Sequence, residues 1–157
     1  MNNTIKLVLA IAIPLLVGST SAFFTVTGVD SWYQTINKPS WNPPNYIFGP
    51  VWTTLYVLMG VSLFLIWKSG TNASTKRRAV ILFVIQLVLN FFWSFIFFNQ
   101  QLPGVAFAEI IVMWLFILLT IFAFARIDKT AAWLLIPYIS WVSFAAILNY
   151  TIWQLNK

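Results

Sequence analysis

Residues 104–125 read GVAFAEIIVMWLFILLTIFAFA. Only Glu109 among them carries an ionisable side chain, and no proline interrupts the run. As a helix rising 1.5 Å per residue, the stretch is about 33 Å long, enough to cross the roughly 30 Å hydrocarbon layer of a bilayer. A strand of a membrane barrel would instead show about 10 residues of alternating polarity, and this run does not alternate. The stretch therefore predicts a membrane-crossing helix. Working outward, the same reading finds four more continuous apolar runs, at 7–26, 47–67, 79–98 and 131–153.

Composition agrees with that reading. Of 157 residues, 61% are hydrophobic and 8% charged, with mean hydropathy +0.86, against about 25% charged in an ordinary soluble domain. The expectation is an all-α, polytopic membrane protein: one bundle of five transmembrane helices over 1–157. The longest gaps, 27–46 and 68–78, leave no room for a soluble domain. Lys6 before the first run and Ser19-Thr20-Ser21-Ala22 within it have features of a cleaved signal. Apolar character resumes at Phe23 and Phe24, so the run is read as a retained helix.

The net charge of +6 sorts by side. Lys6, Lys68, Lys76, Arg77, Arg78, Arg126 and Lys129 fall on the side of the amino terminus, and Lys38 and Lys157 on the other. The positive-inside rule places the amino terminus in the cytoplasm, and the first loop and carboxyl terminus outside. The charge thus encodes topology and calls for no nucleic-acid partner. With no cysteine and no histidine, thiol redox chemistry, the usual zinc sites and a histidine-ligated haem have no ligands. Asp30, Glu109 and Asp128 are the only acids, so no carboxylate pair is available for acid–base catalysis or metal binding. No metal and no required cofactor are expected.

A polar group inside a bilayer is costly and usually faces a partner or a cavity. Trp52 and Tyr56, four apart on one helix face, lie in the loop-side half of the second span. In the third, Gln86 is near the middle, and Asn90, Trp93 and Phe97 continue its face toward the loop side. Glu109 lies about one and a half turns into the fourth span, so it must be protonated, hydrated or bonded to neighbours such as Asn90 or Trp93. Trp141 sits near the middle of the fifth, with Ala145, Leu148 and Asn149 above it. Four spans thus place polar or indole groups at one depth beneath the first loop, the arrangement of a shared pocket. Asn90 and Gln86 also fit plain interhelical hydrogen bonding, and Trp32, Trp67, Trp133 and Trp153 fit an interfacial belt.

The loop 27–46 carries KPSWNPPNY at 38–46. Pro39, Pro43 and Pro44 fix their own φ and bias the preceding residues toward extended backbone, which predicts a stiff lid. A short helix is expected over 30–37, capped by Asp30 or Ser31, with Trp32, Tyr33 and Ile36 turned to the membrane. Pro50 fits the first turn of the second span. Pro137 should kink the fifth by depriving the Trp133 carbonyl of its donor, and Pro14 should bend the first.

These motifs resemble a known family. Trp32-Tyr33 with KPSWNPP at 38–44, G-P-V-W-x-x-L-Y-x-x-M-G at 49–60, Q-x-x-x-N-x-x-W at 86–93 and P-Y-x-x-W-x-x-F-A-x-x-L-N-Y at 137–150 strongly resemble the translocator protein family (TspO/MBR). Its members are also called tryptophan-rich sensory proteins or peripheral-type benzodiazepine receptors. The resemblance implies a five-helix bundle, a homodimer, in a bacterial cell membrane. It also implies binding of protoporphyrin IX or another hydrophobic small molecule beneath the first loop. Carried onto this chain, the ligand-binding positions are Tyr33, Phe48, Trp52, Tyr56, Asn90, Trp93, Trp141, Ala145 and Leu148; the depth reading adds Glu109. The proposed sterol motif of the fifth span is not met: Leu148 and Tyr150 are followed by Gln154, and Lys157 falls beyond the five-residue window.

The sequence therefore points to a porphyrin receptor or carrier acting in transport, sequestration or sensing. An alternative use of the same pocket is light-dependent degradation of protoporphyrin, with Trp52 and Trp141 as the reacting residues. A third reading is a packing scaffold, in which Gly18 with Ala22 and Gly104 with Ala108 mediate helix contacts. The topology has a direct test. A single cysteine at position 72 should react with an impermeant maleimide only in inverted vesicles, and one at position 100 only in right-side-out vesicles. The opposite pattern would reverse the assignment.

Overall fold

The computed structural model describes residues 1–29 and 31–157, the side chains of 26–30 excepted. Its elements are α1 (Asn3–Val29), α2 (Trp32–Thr35), α3 (Asn45–Lys68), α4 (Ala73–Ser94) continued by a π-helical turn (Phe95–Asn99), α5 (Pro103–Ala125), α6 (Lys129–Leu134) and α7 (Ile136–Leu155). There are no strands among the described residues. Five helices are long and apolar enough to cross a membrane, with α6 and α7 together making the fifth. The protein is an all-helical integral membrane protein of the class its apolar runs predict.

Helices overrun the predicted spans at their polar ends. α4 begins at Ala73, so Lys76, Arg77 and Arg78 lie in its first turns. An apolar run marks only the part of a helix in hydrocarbon, and the backbone continues until a side chain can satisfy its first N–H groups. Asn2 Oδ1 accepts from Ile5 N (2.9 Å), Asn72 Oδ1 from Thr75 N (2.8 Å) and Asp128 Oδ1 from Ala131 N (3.1 Å). At the end of α3, Lys76 Nζ donates to the carbonyls of Trp67 (3.0 Å) and Ser69 (2.8 Å).

Pro137 does more than kink the fifth span. Helix α6 stops at Leu134, and α7 restarts with Pro137 in its first turn. Leu135 N donates to the carbonyl of Ala132 (3.1 Å), a tighter turn than an α-helix. The carbonyl of Ala131 accepts instead from Ser62 Oγ on α3 (2.7 Å). A break that would leave an orphan acceptor in hydrocarbon is thereby repaired from a neighbouring helix.

The bundle has two unlike halves. Toward the turn at 69–72, a close-packed core holds Ile66, Ala79, Phe83, Phe124 and Ala131, with the Phe83 and Phe124 rings stacked at 5.9 Å. Toward the opposite face, which carries α2, buried aromatics surround a hollow. Helix α1 packs on α3, α4 on α5, and α5 on α7, while the π-helical turn leans on α1. Within the α1–α3 contact, the bare Cα of Gly60 faces the backbone of Ala10 and Ile11. Pro14 has no N–H to give the Ala10 carbonyl, and it is this region of α1 that the bare Gly60 backbone approaches.

In an open helix, glycine is worse than alanine by about 1 kcal/mol. At Gly60 the order should reverse, because an added Cβ would fall 2.9 Å from the Ala10 carbonyl oxygen and overlap the Ile11 backbone. Gly60→Ala is expected to destabilise by about 1–3 kcal/mol, read as a lower thermal midpoint in detergent. An unchanged or higher midpoint would show that the two helices are not in backbone contact.

Candidate ligand-binding site

The hollow is a cavity of about 430 Å³ in the α2-side half of the bundle. Helix α1 supplies a wall of small residues, among them Gly18, Ser19, Ser21 and Ala22. A Cβ on Gly18 would overlap the Tyr56 ring, so its absence lets that ring lie against α1. From α3 come Phe48, Gly49, Trp52 and Tyr56; Trp52 and Tyr56, one turn apart, stack at 5.7 Å. The α7 wall is Trp141, Phe144, Ala145 and Leu148, and Trp141 reaches across to Phe48 at 6.2 Å.

The α4 wall depends on the π-helical turn. Gln100 N donates to the carbonyl of Phe95, five residues back (3.0 Å), and this wider turn brings the consecutive rings of Phe97 and Phe98 to the cavity. Their centroids are 4.8 Å apart, and Trp93 stacks on Phe97 at 5.2 Å. Asn149 fixes this wall from α7: its Oδ1 accepts from Trp93 Nε1 (2.9 Å) and its Nδ2 donates to the carbonyl of Pro103 (2.8 Å).

Below the cavity runs a buried chain of hydrogen bonds. Tyr56 Oη donates to Asn90 Oδ1 (2.6 Å), Asn90 Nδ2 to Tyr138 Oη (2.9 Å) and Tyr138 Oη to Gln86 Oε1 (2.7 Å). The chain ties α3, α4 and α7 together beneath the ligand space, and Tyr56 belongs to both chain and wall. The Ser21 hydroxyl lies near the Tyr56 phenol but outside hydrogen-bonding geometry.

The roof is the proline-rich loop. Tyr33 on α2 is buried, lines the cavity and donates through its hydroxyl to Asn42 Oδ1 (2.8 Å). Burial pushes its phenol above the ordinary tyrosine value, which keeps it a neutral donor. Lys38 Nζ donates to the carbonyls of Tyr33 (2.6 Å) and Ile36 (3.3 Å) and sits 4.8 Å over the Tyr33 ring. Asn37 and Asn156 exchange two bonds, Asn37 N to Asn156 Oδ1 (2.9 Å) and Asn156 Nδ2 to the Asn37 carbonyl (2.8 Å), which tie the loop to the end of the last helix.

Eight of the ten residues expected at the site line the cavity: Tyr33, Phe48, Trp52, Tyr56, Trp93, Trp141, Ala145 and Leu148. Asn90 does not reach the wall; it lies in the hydrogen-bonded chain below. Glu109 is also absent from the wall, and neither carboxylate oxygen, both buried, makes a hydrogen bond. The partners expected for it are engaged elsewhere, Asn90 with two tyrosines and Trp93 with Asn149. The fourth wall expected from α5 is supplied by α1 instead. A search for indoles and buried polar groups does not find a wall of small residues: Gly18 with Ala22 read in the sequence as a helix-packing pair, and Ser19 as part of a cleavage-like stretch. Gly18 does serve packing, against a cavity tyrosine, and Gly104 packs against the Trp153 indole. The loop helix is shorter than expected, Trp32–Thr35; Ser31 precedes it without capping it, and Tyr33 faces the cavity, not lipid. Asp30, the other expected cap, lies outside the described residues.

Five membrane-spanning helices around an aromatic cavity, roofed by a proline-rich loop, define a class of small polytopic membrane protein with a built-in ligand space. The sequence profile of the TspO/MBR family matches residues 10–154. The chain is 46% identical over 157 residues, 99% of each chain, to the tryptophan-rich protein TspO of Chlorobaculum tepidum. It is 40% identical to a protein of the same name from Archaeoglobus fulgidus, over 98% of this chain and 99% of that one. With the human translocator protein it shares 37% identity over 80% of this chain and 75% of that one. The chain belongs to the TspO/MBR family.

The chain beneath the cavity predicts a specific cost. Tyr138→Phe leaves Asn90 Nδ2 and Gln86 Oε1 without their partner, and a buried group so stranded costs about 1–3 kcal/mol. The expected result is a lower thermal midpoint in detergent. Asn90→Leu breaks the same chain, so the double variant should lose less than the sum of the single losses. Strict additivity would show that the two residues are not coupled.

Proposed function

We propose that this protein is a membrane receptor or carrier that binds a flat hydrophobic ligand, protoporphyrin IX or a related tetrapyrrole, in the cavity beneath the 30–44 loop. The observation that carries this reading is the cavity lining. Three helices and the roof present aromatic faces, and α1 a wall of small residues, around about 430 Å³, within the range of about 300–1,000 Å³ usual for small-molecule sites. Among the described residues, the indole N–H groups of Trp93 and Trp114 are paired with Asn149 and Ser143. Those of Trp52 and Trp141 hydrogen-bond to no described residue and are available to a ligand. Apolar surface for the ring and two free donors at its edge suit a planar molecule with polar substituents. The reading needs no metal or cofactor, and the homodimer that the family resemblance implies goes with it.

A second reading, light-dependent degradation of the same ligand, is favoured by the position of Trp52. It stacks on Tyr56 at 5.7 Å and meets the Tyr138 ring edge at 6.4 Å, so an indole oxidised by an excited porphyrin has two phenols beside it as electron donors. One experiment addresses both readings. Protoporphyrin IX added in the dark should quench the tryptophan fluorescence reversibly, and a concentration 100-fold above Kd should stabilise the fold by about 2.7 kcal/mol. Trp52→Ala and Trp141→Ala should each weaken binding, and unchanged binding in both would remove the ligand from this cavity. Under illumination, a discrete product lost in the Trp52→Phe, Trp141→Phe double variant would favour degradation. The same product from free tryptophan would dismiss it.

A further inference from the structure

We propose that ligand reaches the cavity sideways, from the hydrocarbon layer through a slot between α1 and α3, while the roof stays latched; this inference rests on the binding reading above. The cavity wall is exposed along one line only partly covered by protein: Ser19 and Ala22 on α1 face Tyr46, Gly49 and Thr53 on α3, and all five both line the cavity and are exposed. The two helices touch at Gly60 and again where Gly18 receives the Tyr56 ring. Beyond that point toward α2 they part, and a Cβ placed on Gly49 would meet no atom within 4 Å. Ser19 lies ten residues before the end of α1 and Thr53 eight after the start of α3. The slot therefore descends about 12–15 Å along the helices, below the headgroup level and into hydrocarbon.

The chemistry of the rim suits such a passage. Ser19 Oγ donates to the Leu15 carbonyl (2.8 Å) and Thr53 Oγ1 to the Gly49 carbonyl (2.8 Å). Both hydroxyls are thus satisfied within their own helices. A lipid-dissolved molecule passing between them strips no polar group of its partner. The roof is the opposite case. Lifting it would break the Asn37–Asn156 exchange and the bond from Asn37 Nδ2 to the Leu155 carbonyl (3.3 Å), and would pull Tyr33 from Phe98 at 5.6 Å and Trp41 from Phe144 at 5.9 Å, while the Tyr33–Asn42 and Lys38 bonds lie within the roof and keep it in one piece. The molecule admitted is accordingly one that partitions into the leaflet on the α2 side: planar and apolar, with a polar edge.

Because the chain has no cysteine, a pair of introduced thiols is unambiguous. Ala22→Cys with Gly49→Cys, joined by a bifunctional thiol reagent, closes the slot, and Asn37→Cys with Asn156→Cys, oxidised to a disulfide, locks the roof. Association of protoporphyrin IX with each protein in lipid vesicles is followed by stopped-flow tryptophan quenching. Bridging the slot should slow association by about tenfold or more, reversibly on reduction or removal of the bridge, whereas locking the roof should leave it within about twofold. Slowing by the roof lock alone, equal slowing by both, or no slowing by the slot bridge would overturn the lateral route while leaving the binding reading intact. Absence of quenching in the unbridged protein would remove the binding reading, and the slot with it.

Discussion

A hydrocarbon layer offers no hydrogen-bond partner, and that single constraint shapes every part of this molecule. It forces the apolar runs into helices, whose backbone groups pair internally. It also makes any departure from an α-helix require a local repair. At the α6–α7 break the repair is a serine from another helix, Ser62, bonded to the Ala131 carbonyl. At the end of α4 it is the wider π-helical turn, which keeps Gln100 N bonded to Phe95 while changing the direction of the side chains. The irregular backbone thus appears beside the cavity or where a neighbouring helix can complete it.

The same constraint explains why the cavity can stay open. Helices in lipid gain nothing from the hydrophobic effect against one another, because lipid tails are as apolar as their side chains. An aromatic-lined hollow would close unless its walls were held apart and its floor tied. Packing does the first: Gly60 and Gly18 fix α1 against α3 through backbone and ring contacts. Hydrogen bonds do the second. The Tyr56–Asn90–Tyr138–Gln86 chain joins three helices below the space, and Asn149 joins α4, α5 and α7 beside it. Polar side chains that looked like ligand contacts from their depth therefore divide by role. Those with complementary neighbours hold the frame, while Trp52 and Trp141 line the space with indole N–H groups that pair with no described residue.

Much of this was legible in the sequence. Continuous apolar runs identify the spans because period and length are decided by the bilayer, and the stacked faces Trp52–Tyr56 and Trp93–Phe97 follow from helical spacing alone. The depth of Asn90 was also legible, but not its partner: Tyr138 comes from a helix whose rotation is set by the break at Leu135, which local reading treats as a simple kink. The α1 wall was invisible for a different reason. A cavity can be lined by the absence of side chains, and Gly18, Ser19 and Ala22 carry no chemical signal that separates an open wall from a close contact. Glu109 shows the limit of depth as a signal: acidity inside a span suggests a pocket, whereas this carboxylate lies buried outside the cavity lining, unbonded to any described residue.

The division between a tight half and an open half on the α2 side follows from where the small residues fall. On α1, Ala10 meets Gly60, and about two turns further on Gly18 meets Tyr56; each contact is as close as backbone and ring allow. Past Gly18, the α1 residues facing α3 are Ser19 and Ala22, and the α3 residues opposite are Gly49 and Thr53. Small side chains on both partners bring helices together only where the backbones converge; where the backbones diverge, the same residues leave a gap. The roof cannot fill that gap, because its prolines hold the strap stiff and its polar bonds anchor it toward α7 and the carboxyl-terminal Asn156. The opening consequently faces the lipid between α1 and α3, where no described side chain closes it.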